Sequence, residues 1–119
     1  DYVLAVKASE PLMRGDIVIF KNLEKSIDVV KRVVGLPGET ISASNNQLHV
    51  NGHPIEDPWS KTVTDYFIEY KVSENEIFVL GDQRRLSTSD SRTLGAIDSS
   101  DCMKLKYIYW PYQRVKSYE

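Results

Sequence analysis

Residues 28–38, DVVKRVVGLPG, decide the class of the fold. Asp28 to Val34 alternates around β-branched valines and makes a strand, which the Gly35-Leu36-Pro37-Gly38 turn ends. Alternation sends Asp28, Val30, Arg32 and Val34 to one face and Val29, Lys31 and Val33 to the other. Lys31 is thereby flanked on its own face by two valines. An apolar setting disfavours an ammonium and lowers its pKa, and a neutral amine can act as a general base. The same pattern suits a lysine that lays its stem along an edge strand and keeps its head in water. Alternation alone leaves both open.

Working outward, the same periodicity recurs on both sides. Strands are expected at Tyr2–Val6, at Ile17–Phe20 after a Gly15-Asp16 turn, and at Ile41–Ala43 with Gln47–Val50, a hairpin across Ser44-Asn45-Asn46. Asn51-Gly52 makes the next turn. Tyr66–Lys71, Ile77–Leu80 and Lys104–Trp110 complete the set, the last stopped by Pro111. No segment carries three turns of helical periodicity. One short helical turn is expected at Asp98–Cys102, with Asp98 or Ser99 as N-cap. Residues 54–65, PIEDPWSKTVTD, read as an extended surface loop. The whole, residues 1–119, is expected to be one all-β domain, a mainly antiparallel coiled sheet or barrel with at most one short helical turn.

Composition narrows the function. The chain has 119 residues, 41% hydrophobic and 27% charged, which is a globular balance. Fifteen Lys and Arg stand against 17 Asp and Glu, a net charge of −2, so no basic field favours nucleic acid as a partner. Apolar runs such as Ile17–Phe20 and Ile77–Leu80 fall far short of the roughly 20 residues a membrane helix needs. Any membrane anchor is therefore expected outside these residues, and no signal peptide is read within them. Cys102 is the one cysteine, which excludes an internal disulfide and a multi-thiolate zinc site. A catalytic thiol would need a nearby histidine. His49 and His53 flank the Asn51-Gly52 turn rather than sharing a helix face, so no metal and no cofactor is expected.

A second stretch is dense in chemistry. Residues 81–92, GDQRRLSTSDSR, follow the strand EIFVL and collect Asp82, Arg84, Arg85, Ser87, Thr88, Ser89, Asp90, Ser91 and Arg92. Such a segment is either a solvated loop of turn formers or a network of hydroxyls and paired charges that orients a reactive group. Composition does not choose between them.

The order of the motifs does. GDIVIF (15–20), KRVVGLPGE (31–39), LHVNGHPI (48–55) and ENEIFVLGDQR through SDSRTLGAI (74–97) resemble the extracytoplasmic domain of type I signal peptidases. These are membrane-anchored serine proteases that remove secretory signal peptides. The likeness covers nearly the whole chain and is closest to the short Gram-positive members. KRVVGLPG and the GD(N)R to DSR segment are its specific parts. The resemblance implies a Ser/Lys dyad in place of Ser/His/Asp, with Lys31 as general base. It matches Arg32 with Asp82 as an ion pair, and Asp90 with Arg92 as a second, Ser91 lying between. It implies a loop hydroxyl that holds the lysine, Ser87 when counted from Gly81 and Thr88 when counted from Asp90. Asp28, Val29 and Val30 match the edge along which the signal peptide lies as an added strand. Val3 and Tyr2 are candidates to line its pocket or to meet the membrane surface. Implied partners are Ala-x-Ala signal peptides and the plasma membrane, with the domain on its extracytoplasmic side.

The chain departs from the family in three places. The nucleophile motif, Ser-Met-x-Pro, is absent. Ser9-Glu10-Pro11 lacks the Met and follows the YVLAVK strand, so the serine is expected upstream of Asp1 and the chain as it stands is expected to be inactive. Gln83 replaces the usual Asn, and residues 81–92 are one residue longer than the usual spacing. These departures also suit an inactive signal-peptidase-like protein that assists pilus assembly, with pilin subunits as partners. A Ser/Lys autoprotease of the repressor type is a further alternative, which KRVVGLPG disfavours.

Overall fold

In the computed structural model the described residues are 2–6, 11–22, 27–60, 62–84 and 90–108, with side chains described for residues 11–22, 27–60, 62–84 and 90–104. The strands are β1 (Tyr2–Val6), β2 (Ile17–Asn22), β3 (Ile27–Gly35), β4 (Thr40–Ser44), β5 (Gln47–Val50), β6 (His53–Pro54), β7 (Phe67–Lys71), β8 (Glu76–Leu80), β9 (Ile97–Asp98) and β10 (Met103–Ile108). They form a six-stranded sheet in the order β1-β10-β2-β3-β8-β9 and a four-stranded sheet in the order β6-β5-β4-β7. Neighbours pair antiparallel throughout. The expected all-β architecture is the one found.

The continuous apolar run Ile77–Leu80 has a clear cause. Ile77 and Val79 enter one hydrophobic core with Val18, Phe20, Val29 and Val33. Phe78 and Leu80, between them, enter a second core with Val34, Ile41, Leu48, Val50 and Val72. Strand β8 is thus a wall shared by two cores, and a strand buried on both faces needs no polar alternation. The C-terminal half of β3 is the other part of that wall. Val33 faces the first core and Val34 the second, both with no exposed surface. Fully burying such a side chain contributes about 1.5–3 kcal/mol. A bulge between Val33 and Gly35 then shifts the register. Gly35 fits only because it lacks a Cβ, which would lie 2.6 Å from Ile41 and 2.8 Å from Phe78.

A second bulge shapes the outer strand of the small sheet. Ile41 pairs with Tyr70 and Ala43 with Phe67, so Ile68 and Glu69 together oppose Ser42. Phe67 and Tyr70 consequently both point inward onto Phe78, each with ring centroids 5.5 Å away. Ile68 is left 77% exposed.

The short helical turn falls where it is expected, and two further local features are added to it. The helical turn foreseen near Asp98 is a 3-10 turn over Ser99–Asp101, capped by Asp98. A four-residue helix, α1 (Ser91–Leu94), joins it, with Asp90 as N-cap and Gly95 after it at φ 77°. A single turn is too short to show periodicity, so only its caps marked it. Residues 54–65 are not merely a surface loop. Thr64 is 2% exposed, and Trp59 packs against Gly15.

Candidate active site

Lys31 lies midway along β3, directly opposite Val18 of β2. Its same-face neighbours Val29 and Val33 are 6% and 0% exposed, and all three valines belong to the first core. Lys31 itself is half-buried. The alternation read from the sequence is therefore present in space, with the lysine rising from the rim of an apolar core.

Arg32 points to the opposite face. Its Nη2 donates to Asp82 Oδ2 at 2.8 Å and its Nε to Asp82 Oδ1 at 3.3 Å. Its Nη1 donates to the Gly15 carbonyl at 3.0 Å. The Trp59 ring covers the guanidinium at 5.7 Å. Asp82 lies two residues past Leu80, which ends β8 and stands opposite Arg32 in the ladder. The expected ion pair thus spans 50 residues of sequence but only one step of the sheet.

Asp90 and Arg92 form the second pair at 2.7 Å, with Asp90 1% exposed. Burial pushes the Asp90 carboxyl up. Hydrogen bonds and charge from Arg92, with the Arg92 and Gly81 backbone N–H groups, outweigh it and leave the acid below its usual value. Ser91 is buried, and its Oγ accepts from the Val79 N–H at 2.9 Å. Arg92 Nη2 donates to the Arg84 carbonyl at 2.7 Å. Both ends of the loop are therefore stitched to β8 and to each other. Ser87 and Thr88 lie between those ends, outside the described residues.

The edge expectation concerns Asp28, Val29 and Val30. On one side they pair with Lys21, Phe20 and Ile19 of β2. On the other, β8 begins its pairing only at Arg32. Among the described residues, Ile27 to Val30 thus carry a ladder on one side alone. Asp28 is exposed and approaches Lys21 at 3.7 Å. Val3 sits in β1 opposite Tyr107; its side chain lies outside the described residues.

Sequence reading missed a third charged group. Arg84 has none of its side chain exposed, and it donates through Nη2 to Asp57 Oδ1 at 2.9 Å and through Nη1 to Thr64 Oγ1 at 3.0 Å. Its Nε donates to the Gly81 carbonyl at 2.7 Å. The only sequence signal was an arginine directly after the GDQ turn, with no mark of its distant partners. Cys102 belongs to the first core. Burial, with the charges of Asp101 and Asp98, pushes its thiol up to about 11, so it has no thiolate to offer near neutrality.

Comparison with known proteins agrees with this geometry. The family model described as signal peptidase, peptidase S26, matches residues 1–110. Signal peptidase I S of Bacillus subtilis (strain 168) is 30% identical, over 95% of this chain and 67% of that protein. Signal peptidase I P of Bacillus subtilis subsp. natto is 30% identical, over 93% and 66%. Signal peptidase I of Bacillus caldolyticus is 35% identical, over 87% and 65%. The chain thus spans about two thirds of the length of these relatives. The crystal structure of a signal peptidase I from Enterococcus faecalis V583 superposes with a TM-score of 0.72 at 28% identity, covering 84% of this chain and all of that one. With its two-core sheet, its lysine over the apolar rim and its paired arginines, this chain belongs to the signal peptidase family, peptidase S26.

Proposed function

We propose that this chain is the catalytic domain of a membrane-anchored serine endopeptidase that removes signal peptides from secreted preproteins. The observation that carries the reading is the place of Lys31, half-buried opposite Val18 and between Val29 and Val33 on the rim of an apolar core. A lysine amine there, set beside apolar side chains, serves as a general base once it is neutral. The nucleophile is a serine of the family's Ser-Met-x-Pro segment, preceding residue 1. Lys31 takes the serine proton as the hydroxyl oxygen attacks the scissile carbonyl, and returns it to the departing amine. In the second half it takes a proton from the water that opens the acyl-enzyme. Backbone N–H groups beside the serine would hold the oxyanion. A Ser87 or Thr88 hydroxyl orients the amine.

The substrate enters as an extended strand along Ile27 to Val30, where β3 pairs on one side only among the described residues. Small Ala-x-Ala side chains fit against the half-buried Val30 and Ile19, which face each other across β2 and β3. Arg32 with Asp82 and Asp90 with Arg92 hold the base strand and the hydroxyl loop in place. The domain works on the extracytoplasmic side of the plasma membrane. No helix among the described residues is long and apolar enough to cross a membrane.

The test is cleavage of an Ala-x-Ala preprotein by the full-length protein in detergent or vesicles. Lys31→Met is expected to lower turnover by roughly 100- to 10,000-fold, the range of a lost general base. Turnover that survives Lys31→Met removes the base assignment. A parent protein that folds but cleaves nothing favours the inactive, pilus-assembly reading.

A further inference from the structure

The segment joining β6 to β7 touches both of the arginines that border the proposed catalytic groups. Trp59 lies over the Arg32 guanidinium, and Arg32 is the chain neighbour of Lys31. Asp57 and Thr64 receive the Arg84 guanidinium, and Arg84 opens the segment that carries Ser87 and Thr88. Both contacts are built rather than incidental. Gly15 has φ +96°, and a Cβ there would lie 2.5 Å from Trp59 Cζ2, so the ring occupies the space a side chain would take. Arg84 is fully buried, and a buried guanidinium needs its counterion. A cleft of about 750 Å³ opens between this segment and β5, lined by Gln47, Leu48, Ile55, Asp57, Thr62 and Thr64.

We infer that the segment carrying Asp57, Trp59 and Thr64 forms a clasp on Arg32 and Arg84, with Trp59 as a positioning residue that acts through Arg32 on the strand bearing Lys31. The inference rests on the reading of Lys31 given above. Its physical basis is that Trp59 covers the side chain of Arg32, the residue next to Lys31 in β3. A displacement of about 1 Å in a reactive group can cost on the order of 100-fold in rate. Trp59 also shields the Arg32–Asp82 pair from water, which strengthens it.

Trp59→Leu and Trp59→Phe in the full-length protein test this. The readouts are kcat and KM on a preprotein, and the NMR signal and solvent exchange of the Arg32 Nε–H. Trp59→Leu is expected to speed that exchange at least about 10-fold and to lower kcat roughly 10-fold, with KM within about 2-fold. Trp59→Phe, which keeps a ring over the guanidinium, is expected to restore both. An unchanged Arg32 Nε–H in Trp59→Leu overturns the clasp whether or not the protein is active. A perturbed Nε–H with unchanged kcat overturns the positioning role. A parent that never turns over, with Arg32 still responding to Trp59, marks failure of the catalytic reading and takes the positioning role with it.

Discussion

Lys31 and Val18 face each other across the β2–β3 ladder, a lysine set opposite a residue that has no exposed surface. Under the proposed function, such a site would serve chemistry at some cost to stability. Lys31→Met keeps the length of the side chain and removes the charge. It is expected to leave the thermal midpoint unchanged or raised by a few degrees while removing cleavage. A midpoint lowered by more than about 4 °C, the effect of roughly 1 kcal/mol in a domain of this size, would show that the ammonium is well solvated and stabilising.

The Arg32–Asp82 pair predicts an asymmetric mutational response. Asp82 is 3% exposed at its side chain and Arg32 is 16%. Asp82→Leu strands a largely buried guanidinium and is expected to cost about 3 kcal/mol by urea unfolding. Adding Arg32→Met is expected to recover part of that loss, because no unpaired charge remains. A double variant as unstable as the sum of the two singles would rule out coupling through this pair.

Acid is expected to act through Asp90 and Glu39. Arg92 and the backbone donors hold Asp90 below its usual value. The Arg14 hydrogen bonds do the same for Glu39 against partial desolvation. For a carboxyl depressed in the folded state, the unfolded chain binds more protons near its ordinary pKa. The stabilisation is therefore present above about pH 4–5 and lost as pH falls through the folded values. Urea midpoints measured from neutral pH down to about pH 3 should show this fall, and Asp90→Asn should flatten it. An unaltered slope in Asp90→Asn would mean that other carboxylates govern the acid limb.

Two glycines separate backbone strain from packing. Gly15 and Gly52 both have positive φ, +96° and +82°. A Cβ at Gly52 meets nothing within 4 Å, whereas at Gly15 it meets Trp59. Gly52→Ala is expected to cost about 1 kcal/mol, the price of the left-handed conformation. Gly15→Ala is expected to cost about 2–3 kcal/mol. Equal losses would show that Trp59 yields freely and does not fill the space over Gly15.

The legible parts of the molecule were those with local signatures. Alternation around Lys31 assigned its face and that of Arg32, since β-branched residues on a strand leave little choice of side. Chain order of motifs, not periodicity, linked Arg32 to Asp82, because an ion pair across 50 residues leaves no local mark. Trp59 and Asp57 went unread for the same reason. A loop of Pro, Ser and Thr looks solvated until the buried Arg84 that needs Asp57 is in place. The unbroken run Ile77–Leu80 was placed as a strand, but its service to two cores could not be seen, since buried strands lose the polar alternation that reports a face. The choice between Ser87 and Thr88 falls outside the described residues.

The bulge at Ile68 and Glu69 gives the two sheets unlike borders. Where β7 ends the small sheet, the doubled residues opposite Ser42 throw the outward amides out of even spacing, and no straight strand can dock along them in register. Along Ile27 to Val30 the spacing is regular. Under the proposed function, extended peptides would risk being templated into fibres on any receptive border. Here one border is serrated and the other smooth, so the proposed strand addition would be steered to the margin beside Lys31 and discouraged at the margin where stacking would have no end.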